Sequence, residues 1–438
     1  MPDLSNRAWA RGLRNLKREV IWTLQKYLLK CIGCGEEYPG SERIYFCPRC
    51  GDLLDVRYEL GEEVSNIPWL RDYDKRPLGV WRYRELLPIS DHSKIVSMNE
   101  GGTRLIRCRN LERMLGIREV YVKYEGDNPT GSFKDRGMTV GVTKALEMGA
   151  RITICASTGN TSSSLAAYSA RAGLKCVVLV PAKKIALGKL SQAIIHGARV
   201  LAVRGSFDDC LRIVKELSKD KLFYLLNSIN PFRLEGQKTA SYEIYEQLLG
   251  AIPDKLIIPV GNAGNIVAYW KGFRELKALD LTSDLPHFIG VQAAGAAPLY
   301  NAFIRGADAI EPIQNVETVA TAIRIGNPVN WKRALKAVRE TGGLMTIVSD
   351  EEILAAQRIL ASREGIFAEP AGAAPIACLI KAAKNGLIDR DERVVCIVTG
   401  HGLKDPDIVL RVSKHPEEVN ADLEEILRII KASATSIA

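Results

Sequence analysis

The alternation of short apolar runs with helical stretches constrains the fold more than any other feature of this sequence. From about residue 95 onward, apolar runs of five to seven residues recur, and helix-like segments separate most of them. The runs are VYVKYE, ITICAS, CVVLVP, RVLAV, LFYLLN, LIIPVG, FIGVQA, LMTIV and VVCIVTG. Such strands are typically buried on both faces, and their alternation with helices favours parallel pairing. The sequence therefore predicts an α/β fold with a largely parallel sheet covered by helices on both sides.

Positive charge is concentrated near the N-terminus. The chain of 438 residues has a formal net charge of +9, and residues 7–30 contain seven Lys or Arg against one Glu. Apolar residues at helical spacing predict a basic amphipathic helix over residues 5–30. These residues are Trp9, Leu13, Leu16, Val20 and Leu24. RNA or an anionic membrane could bind such a face, but we expect a docking helix with a solvated face and no nucleic-acid partner.

Four of the ten cysteines form two C-x-x-C pairs, Cys31 with Cys34 and Cys47 with Cys50. Each pair is followed by glycine, and this spacing is typical of a zinc ribbon in which four thiolates give zinc a closed tetrahedral shell. A ribbon that holds no metal is the alternative. A disulfide framework is not expected in a long chain without an export signal. The remaining cysteines lie mostly in apolar runs and are expected to be buried.

Several classes of protein are excluded by what the sequence lacks. No apolar run approaches the roughly 20 residues of a membrane-spanning helix, and the N-terminus has no signal-peptide pattern. The two glycine-rich nucleotide motifs, G-x-G-x-x-G after a strand and G-x-x-x-x-G-K-[ST], are both missing. We therefore expect a cytoplasmic protein without membrane contact that uses neither NAD nor ATP.

Lys134 lies in NPTGSFKDRGMTV, the first of four polar loops that each stand between a strand and a helix, where open α/β sheets bind ligands. Ser132 and Asp135 have the [ST]-x-x-[DE] spacing of a helix start, which places Lys134 in the first turn. Burial and the helix dipole lower the pKa of a lysine there, so its neutral amine can form a Schiff base with the aldehyde of pyridoxal phosphate. The alternative is a solvent-facing lysine paired with Asp135.

The other three loops supply groups that bind anions. They contain Ser157, Thr158, Gly159, Asn160 and Thr161; Gly261, Asn262, Ala263, Gly264 and Asn265; and Asn227, Ser228, Arg233 and Lys238 before a predicted helix. Consecutive amides at a helix start bind carboxylate or phosphate, and glycine lets the backbone approach the oxygens. The planar fork of arginine suits a tetrahedral dianion. Two anion sites together with Lys134 imply a phosphorylated cofactor and an anionic substrate.

Thr399 ends the last predicted strand, in VVCIVTGHGLKD. A hydroxyl facing the pyridine nitrogen would leave the cofactor ring less firmly protonated than a carboxylate would, which suits elimination and replacement better than transamination. His401, in the same glycine-rich turn, is more typical of a loop-packing residue, and we leave it out of the predicted site.

These stretches carry a family resemblance. NPTGSFKDRGMTV, STGNTSSSLAAYSARAG, NSINPFRLEGQKTASYEI, PVGNAGNI, VATAIRIGNPVNW and VTGHGLKD resemble, in order, the motifs of threonine synthases. Those enzymes use pyridoxal phosphate and belong to the tryptophan synthase β-subunit-like family. The likeness covers about residues 95–410, and the ribbon resembles a module that some members carry. It implies two open, mostly parallel sheets flanked by helices, an N-terminal helix and zinc-ribbon-like module, and a homodimer.

The resemblance also implies a role for each motif residue. Lys134 resembles the Schiff-base lysine that also moves protons, Asn160 the partner of the cofactor's phenolic oxygen, and Thr399 the partner of its pyridine nitrogen. The residues that resemble the phosphate cradle are Gly261, Asn262, Ala263, Gly264 and Asn265. Those that match the substrate-phosphate site are Thr161, Asn227, Ser228 and Arg233, while Ser157 and Thr158 would hold the α-carboxylate. The implied reaction converts O-phospho-L-homoserine and water into L-threonine and phosphate.

Other functions stay open on the residues alone. A sister enzyme could act on O-phosphoserine by β-replacement, as a cysteate synthase does, or could be a serine/threonine dehydratase, although a dehydratase needs no second phosphate site. A non-catalytic zinc-ribbon binding protein is the alternative from another class. We expect a helix and ribbon over 1–62, a linker and first part of a large cofactor domain over 63–145, and a small α/β domain over 146–235. The remainder of the large domain is expected over 236–438, together with a C-terminal helix from Pro416 to Ile437.

Overall fold

Two sheets of mainly parallel strands form the framework of the protein. The computed structural model describes residues 27–58, 75–182, 187–408 and 416–434. In chain order the strands are β1 (Tyr27–Cys31), β2 (Glu37–Pro39), β3 (Leu54–Tyr58), β4 (Leu105–Arg107), β5 (Glu119–Tyr124), β6 (Ile152–Ala156), β7 (Lys175–Pro181), β8 (Arg199–Val203), β9 (Phe223–Leu225), β10 (Lys255–Pro259), β11 (His287–Ala293), β12 (Leu344–Val348) and β13 (Arg393–Val398). The larger sheet has the order β12-β11-β10-β13-β5-β4, and the smaller has the order β8-β7-β6-β9.

Every apolar run predicted as a strand forms one of these two sheets, and all of those strands pair in parallel. The predicted fold class, with two mostly parallel sheets, is therefore confirmed. The sequence did not predict β4, which is three residues long and pairs antiparallel with β5 at the edge of the larger sheet. Its residues are only partly buried, so no apolar run marks it.

Helices cover both sheets. They are α1 (Arg109–Leu115), α2 (Lys134–Glu147), α3 (Asn160–Arg171), α4 (Leu187–Ile195), α5 (Phe207–Leu217), α6 (Pro231–Gln247), α7 (Gly264–Ala278), α8 (Pro298–Ile304), α9 (Trp331–Glu340), α10 (Asp350–Glu364), α11 (Pro370–Lys384) and α12 (Leu423–Ala434). The part of the chain that the structure describes contains no helix long and apolar enough to cross a membrane.

Helix α6 is the central helix of the packing, because its residues from Pro231 to Tyr245 are all buried. Glycines allow its neighbours to approach closely. A Cβ on Gly236 of α6 would stand 1.7 Å from the carbonyl oxygen of Arg136 in α2, and a Cβ on Gly272 of α7 would stand 2.6 Å from a carbonyl oxygen of α6. The helix begins well before Lys238, so the prediction that Arg233 and Lys238 precede a helix is wrong: both lie inside it.

A three-stranded antiparallel sheet of order β2-β1-β3 precedes the large sheets. We call residues 27–58, which contain it, the cysteine module. The predicted helix over 5–30 falls mostly outside the described residues, but its end is wrong, because residues 27–31 form β1. Leu29 and Cys31 are buried while their neighbours are less so, which is the period of a strand and not of a helix. The basic face of that helix lies outside the described residues.

The residues up to Lys404 form one compact unit, and those from Asp405 form a second. The second contains α12, which begins at Leu423 and not at Pro416 as the sequence suggested. Asp422, directly before it, caps the helix by accepting a hydrogen bond from the Glu425 amide at 2.8 Å, and residues 416–422 are not helical. The predicted domain limits stay predictions.

Candidate active site

The loops predicted to bind ligands follow the carboxyl ends of neighbouring parallel strands. In the larger sheet, β13 pairs with both β10 and β5, and Val398 at the end of β13 lies opposite Tyr124 at the end of β5. In the smaller sheet, β6 pairs with β9, with Ile154 opposite Leu225. Thr399 and the loop 261–265 therefore lie at one edge of the larger sheet, and the loops 157–161 and 227–230 lie at one edge of the smaller.

Lys134 is the first residue of α2, as predicted, and backbone hydrogen bonds join its loop to the end of β13. The Phe133 amide donates to the carbonyl oxygen of Thr399 at 3.0 Å, and the His401 amide donates to that of Gly131 at 2.9 Å. The Lys134 ammonium lies 3.7 Å from the centre of the Phe133 ring. No carboxylate among the described residues forms an ion pair with it. Lys134 and Thr399, far apart in sequence, are thus neighbours.

The pKa of Lys134 is lowered to about 7, first by burial and then by the positive charge of Arg233, with Glu369 acting in the opposite direction. A neutral amine is therefore available near neutral pH. This is what the sequence position predicted, although the dominant cause is burial.

The predicted capping pair at the start of α2 does not form. Phe133 is the N-cap residue, and the buried hydroxyl of Ser132 has no hydrogen-bond partner among the described residues. The Asp135 carboxylate instead accepts hydrogen bonds from the amide and hydroxyl of Thr130, both at 2.6 Å, and one from Ser164. Burial raises the pKa of Asp135 to about 6. Asp135 closes the loop onto itself, and the alternative in which it pairs with Lys134 is wrong.

Glu369 is a site residue that the sequence analysis missed. Its carboxylate accepts a hydrogen bond from the Asn160 amide at 2.9 Å and another from the Thr399 hydroxyl at 3.1 Å. Burial raises its pKa, which these two donors partly offset. Glu369 thereby joins a loop of the smaller sheet to the end of a strand of the larger. A possible signal was a lone acid in the apolar stretch GIFAEPAGAAP, placed before the proline that begins a helix.

Asn330 makes a second connection between loops. Its backbone amide donates to the carbonyl oxygen of Asn262, and its side-chain amide donates to that of Ser228, both at 3.3 Å. The loop 261–265 and the loop after β9 are therefore held together by one residue. Asn330 belongs to the stretch VATAIRIGNPVNW, but nothing in the sequence singled it out.

The loop 261–265 has the backbone geometry of an anion cradle. Ala263, the N-cap of α7, has a left-handed conformation with φ of 63°, which is rare for a residue with a side chain. Such a residue turns successive amides at a helix start toward one point. Both polar atoms of the Asn265 side chain are buried without partners among the described residues. A buried amide of this kind costs free energy unless a ligand satisfies it.

Arg233 lies in the first turn of α6 and is almost fully buried. Its Nη1 donates to the carbonyl oxygen of Leu226 at 3.2 Å, while its Nε has no partner, and no carboxylate among the described residues pairs with it. Burial lowers its pKa to about 10. Its charge reaches Lys134, which places the two cations in the same region. An unpaired buried guanidinium is strong geometric support for an anionic ligand.

The remaining predicted residues differ in whether their polar groups are available to a ligand. The Asn227 side chain bonds to the backbone of Ala156 on both sides, accepting from the amide at 3.0 Å and donating to the carbonyl at 2.9 Å, which leaves one N–H for a ligand. Lys238 pairs with Glu235 and Glu275 at 2.7 and 2.8 Å and is a buried structural residue. In the loops after β6 and β9, the predicted residues whose side chains stay partly exposed are Ser157, Thr158, Asn160, Thr161 and Ser228.

The four cysteines of the cysteine module meet as predicted. The Sγ atoms of Cys31 and Cys50 lie 3.3 Å apart, those of Cys34 and Cys47 lie 3.6 Å apart, and all four lie within 4.8 Å of one another. The amides of Gly33 and Cys34 point to the Cys31 sulfur at 3.3 and 3.4 Å. All ten cysteines of the chain are free thiols. The cluster is a candidate metal site separate from the loops around Lys134.

Comparison with known proteins gives the family. Residues 96–400 match the model of the pyridoxal-phosphate dependent enzymes. The chain is 57% identical to the threonine synthase of Methanocaldococcus jannaschii, with 92% of this chain and 99% of that protein covered. It is 54% identical to the threonine synthase of Methanosarcina acetivorans, with 93% and 100% covered. The chain belongs to the threonine synthase family of pyridoxal-phosphate-dependent enzymes.

Solved structures outside the threonine synthase family share the fold. A threonine deaminase of Solanum lycopersicum aligns with a TM-score of 0.62 at 22% identity, covering 77% of this chain and 95% of that one. A serine racemase of Dictyostelium discoideum aligns with a TM-score of 0.59 at 22% identity, covering 75% and 99%. At these identities the likeness establishes the fold and nothing finer.

The residues around Lys134 fit the cofactor of this family. An aldehyde needs a neutral amine, and the lowered pKa of Lys134 provides one. A phosphate needs converging amides and a donor, and Ala263 and Asn265 provide both at the start of α7. These groups lie between the two sheet edges that Glu369 joins. The donor set therefore agrees with dependence on pyridoxal phosphate.

Proposed function

We propose that this enzyme converts O-phospho-L-homoserine and water into L-threonine and phosphate. The buried, unpaired guanidinium of Arg233 carries the proposal, because it lies close enough to Lys134 for its charge to lower the amine's pKa. A substrate that reacts at the Lys134 amine and ends in a phosphate dianion would give the Arg233 guanidinium its missing anionic partner. The names of the relatives in archaea and bacteria support the same reaction.

On the substrate side, we assign the phosphate to Arg233, the free N–H of Asn227, Ser228 and Thr161. A bidentate arginine contact fixes the orientation of a phosphate as well as its position. The partly exposed start of α3, with Ser157 and Thr158 before it, would hold the α-carboxylate through backbone amides and hydroxyls. Two anchored ends would place the reacting carbons between them, beside Lys134.

On the cofactor side, we assign the phosphate to the loop of Gly261, Asn262, Ala263, Gly264 and Asn265. Asn160 and Thr399, held by Glu369, would contact the ring at its phenolic oxygen and its nitrogen. When bound, pyridoxal phosphate supplies a conjugated ring that accepts the electron pair left at Cα. Lys134 would hold its aldehyde until the substrate amine takes that place.

Lys134 would then act as the proton carrier. Its neutral Nζ takes the Cα proton and moves a proton from Cβ, after which phosphate leaves from Cγ and stays with Arg233. Lys134 would next deliver a proton to Cγ, and water would add at Cβ while giving its second proton to the phosphate held by Arg233. A last proton would return to Cα, which gives L-threonine. A pKa near 7 lets the same amine accept and return protons with little loss in either direction.

A phosphate-release assay tests the proposal. Purified enzyme with pyridoxal phosphate should release phosphate and form threonine from O-phosphohomoserine, and Lys134→Ala should abolish both. Borohydride reduction followed by peptide mapping should find the cofactor on Lys134. O-phosphoserine is the matched comparison, since it has the same phosphate on a shorter chain. Phosphate release from O-phosphoserine alone would assign the enzyme to β-replacement instead.

We further propose that the cysteine module binds one structural zinc ion through Cys31, Cys34, Cys47 and Cys50. A Zn–S distance of about 2.3 Å in a tetrahedral shell needs sulfurs slightly less than 4 Å apart, which the cluster nearly has. Metal analysis of the purified protein should find about one zinc per chain, and Cys34→Ser should lower that content. A zinc-free protein with the same unfolding midpoint would reject the assignment.

We also propose a cytoplasmic homodimer. None of the ten cysteines forms a disulfide, which supports a reducing compartment. The dimer rests on the family resemblance, and light scattering with size-exclusion chromatography tests it directly. A monomer with full activity would reject it.

A further inference from the structure

The cysteine module packs against the first turn of α6, the turn that contains Arg233. Phe232, directly before Arg233, is buried in the apolar core of the module. The other members of this core are Leu29, Cys31, Cys47, Leu54 and Val56. The ring of Tyr27 meets the Phe232 ring edge-on, with centroids 6.2 Å apart and planes at 87°. Two of the four clustered cysteines therefore share one core with the residue that directly precedes Arg233.

A second contact holds the same helix just after Arg233. The hydroxyl of Tyr58, the last residue of β3, donates to the Glu235 carboxylate at 2.6 Å. Lys271 of α7 forms ion pairs with Glu235 and with Asp55 of β3, the latter at 3.2 Å. Glu235 is fully buried. The module therefore contacts α6 on both sides of Arg233 along the sequence.

Arg233 needs this support for a physical reason. The first turn of a helix lacks half of its backbone hydrogen bonds, and such turns open readily unless tertiary contacts hold them. A buried guanidinium without a carboxylate partner is stabilised when it moves into water, so the Arg233 side chain tends to leave its buried position. The cap from Asn230 to the Phe232 amide, at 2.9 Å, fixes the backbone but does not hold the Arg233 side chain inside. The packing of Phe232 in the module's apolar core opposes the movement of Arg233 into water.

We propose that the cysteine module positions the phosphate-binding arginine: Phe232, seated in the module's core, fixes the first turn of α6, so that loss of the module's metal weakens phosphate binding at Arg233. Phe232 is a positioning residue that acts through Arg233. The inference rests on the proposed function only in naming that phosphate as the substrate's. The cofactor cradle lies at the start of α7, whereas Lys271, the α7 residue in this contact, lies further along that helix. Cofactor binding should therefore be unaffected.

The test compares phosphate binding with cofactor binding in the full-length holoenzyme. Inorganic phosphate is titrated into enzyme saturated with pyridoxal phosphate, by calorimetry and as a competitive inhibitor, so that the cofactor's own phosphate site is already filled. Removing zinc with a chelator should raise the phosphate Kd and the substrate KM about tenfold. Phe232→Ala should do the same, while the cofactor's visible absorption and Kd stay unchanged. Phe232→Leu should restore most of the affinity.

Two controls make the result specific. Lys332→Ala removes another contact of the module, the ion pair with Asp52, without touching α6, and should leave the phosphate Kd unchanged. Chelation of the Phe232→Ala enzyme should have little further effect, because metal and ring act through one contact. Should Phe232→Ala not fold, Tyr27→Leu removes the same ring contact from the module side.

The proposal is overturned if chelation leaves the phosphate Kd unchanged, or if cofactor affinity falls in parallel with it. An equal effect of Lys332→Ala would also overturn it, because that would indicate general loosening of the module. The proposed function is tested separately: if calorimetry gives these results but O-phosphohomoserine is not turned over, the proposed reaction fails and the positioning role stands.

Discussion

Two buried arginines on neighbouring helices show how one residue type serves opposite purposes. Arg136 on α2 and Arg233 on α6 are only 1% and 2% exposed. Arg136 lies between two carboxylates, with Nε 2.6 Å from Glu125 and Nη1 2.6 Å from Glu243. Burial alone would lower its pKa, but the two carboxylates raise it well above the usual value. Arg233 has no such partner, and burial lowers its pKa to about 10.

The difference separates a structural charge from one kept for a ligand. The carboxylates around Arg136 satisfy its fork completely, so the fold gains a rigid crossing of α2 and α6 and has no vacant donor there. Arg233 has no carboxylate partner, so its burial costs stability, and in the proposed function its unused donors would bind the substrate's phosphate, which is the usual relation between a binding site and stability. Substitutions at the two positions should therefore change stability in opposite directions.

Arg136→Met should give the largest effect. The substitution leaves Glu125 and Glu243 buried, with only Lys123 left to pair Glu243. Removing one partner of a buried ion pair costs about 3–5 kcal/mol of unfolding free energy. Denaturant unfolding of the cofactor-free protein measures this loss. Arg136→Lys retains the charge, so its free energy of unfolding should fall by less. A loss of less than about 1 kcal/mol in Arg136→Met would contradict the structural role of Arg136.

Arg233→Met should have the opposite signature. The methionine fills the same space without a charge, so the unfolding free energy should stay level or rise by about 1 kcal/mol. Turnover should suffer instead: kcat/KM for O-phosphohomoserine should fall roughly 100-fold, because the phosphate loses its charged partner. Cofactor absorption should not change.

Arg233→Lys is the matched control for the charge. Its kcat/KM for O-phosphohomoserine should fall roughly tenfold, since a lysine cannot make the two-point contact of the guanidinium. A drop in stability of Arg233→Met that equals the drop for Arg136→Met would mean that the two arginines do not differ as described.

The same comparison shows what the sequence could predict. Apolar runs and turn residues act locally, so every strand of the two large sheets except the antiparallel edge strand β4 was predicted from them. Arg233 was predicted because its neighbours matched a motif, and Lys134 because a cation at a helix start is unusual. Arg136 lies in the same quoted stretch as Lys134, but nothing local indicates its role. Its partner Glu243 lies in another helix, and only the folded chain brings them together.

Long-range contacts also explain the other failures. Glu369 accepts hydrogen bonds from Asn160 and Thr399, which are distant in sequence. Asn330 connects the loop after β9 with the loop 261–265, which are also distant in sequence. Helix α6 contains so many charged residues that no apolar face marks its early start, although each charge finds a buried partner except Arg233. The strand β1 was mistaken for the end of a helix because its apolar residues continued a helical pattern.

The loop 261–265, proposed as the cofactor cradle, sharpens the comparison, because it would bind its anion with backbone amides instead of a guanidinium. Ala263 sits at φ of 63°, where a β-branched side chain is strained by about 1–2 kcal/mol. Ala263→Val should therefore raise the Kd for pyridoxal phosphate about tenfold, measured by absorbance titration, and leave the substrate KM unchanged at saturating cofactor. Ala263→Gly adopts this conformation freely and should bind as well as wild type. A substrate KM that rises with the cofactor Kd would mean that the two sites are not independent.

The smallest expected effect concerns the pKa of Lys134, which Arg233 and Glu369 shift in opposite directions. Its pKa is about 7, and among its charged neighbours Arg233 lowers it while Glu369 raises it. In cofactor-free enzyme, the rate of Lys134 modification by an amine reagent should rise with pH to a midpoint near 7. Arg233→Met should move the midpoint up and Glu369→Gln should move it down, with Arg212→Met, on the surface, as the control. An unchanged midpoint in both variants would show that burial alone sets the pKa of Lys134, and shifts of equal sign would contradict opposite effects of Arg233 and Glu369.

Lys134 should also make stability depend on pH. Between its folded-state pKa of about 7 and the ordinary pKa of a lysine, the folded chain binds fewer protons at this amine than the unfolded chain does, so the free energy of unfolding should rise with pH over that range.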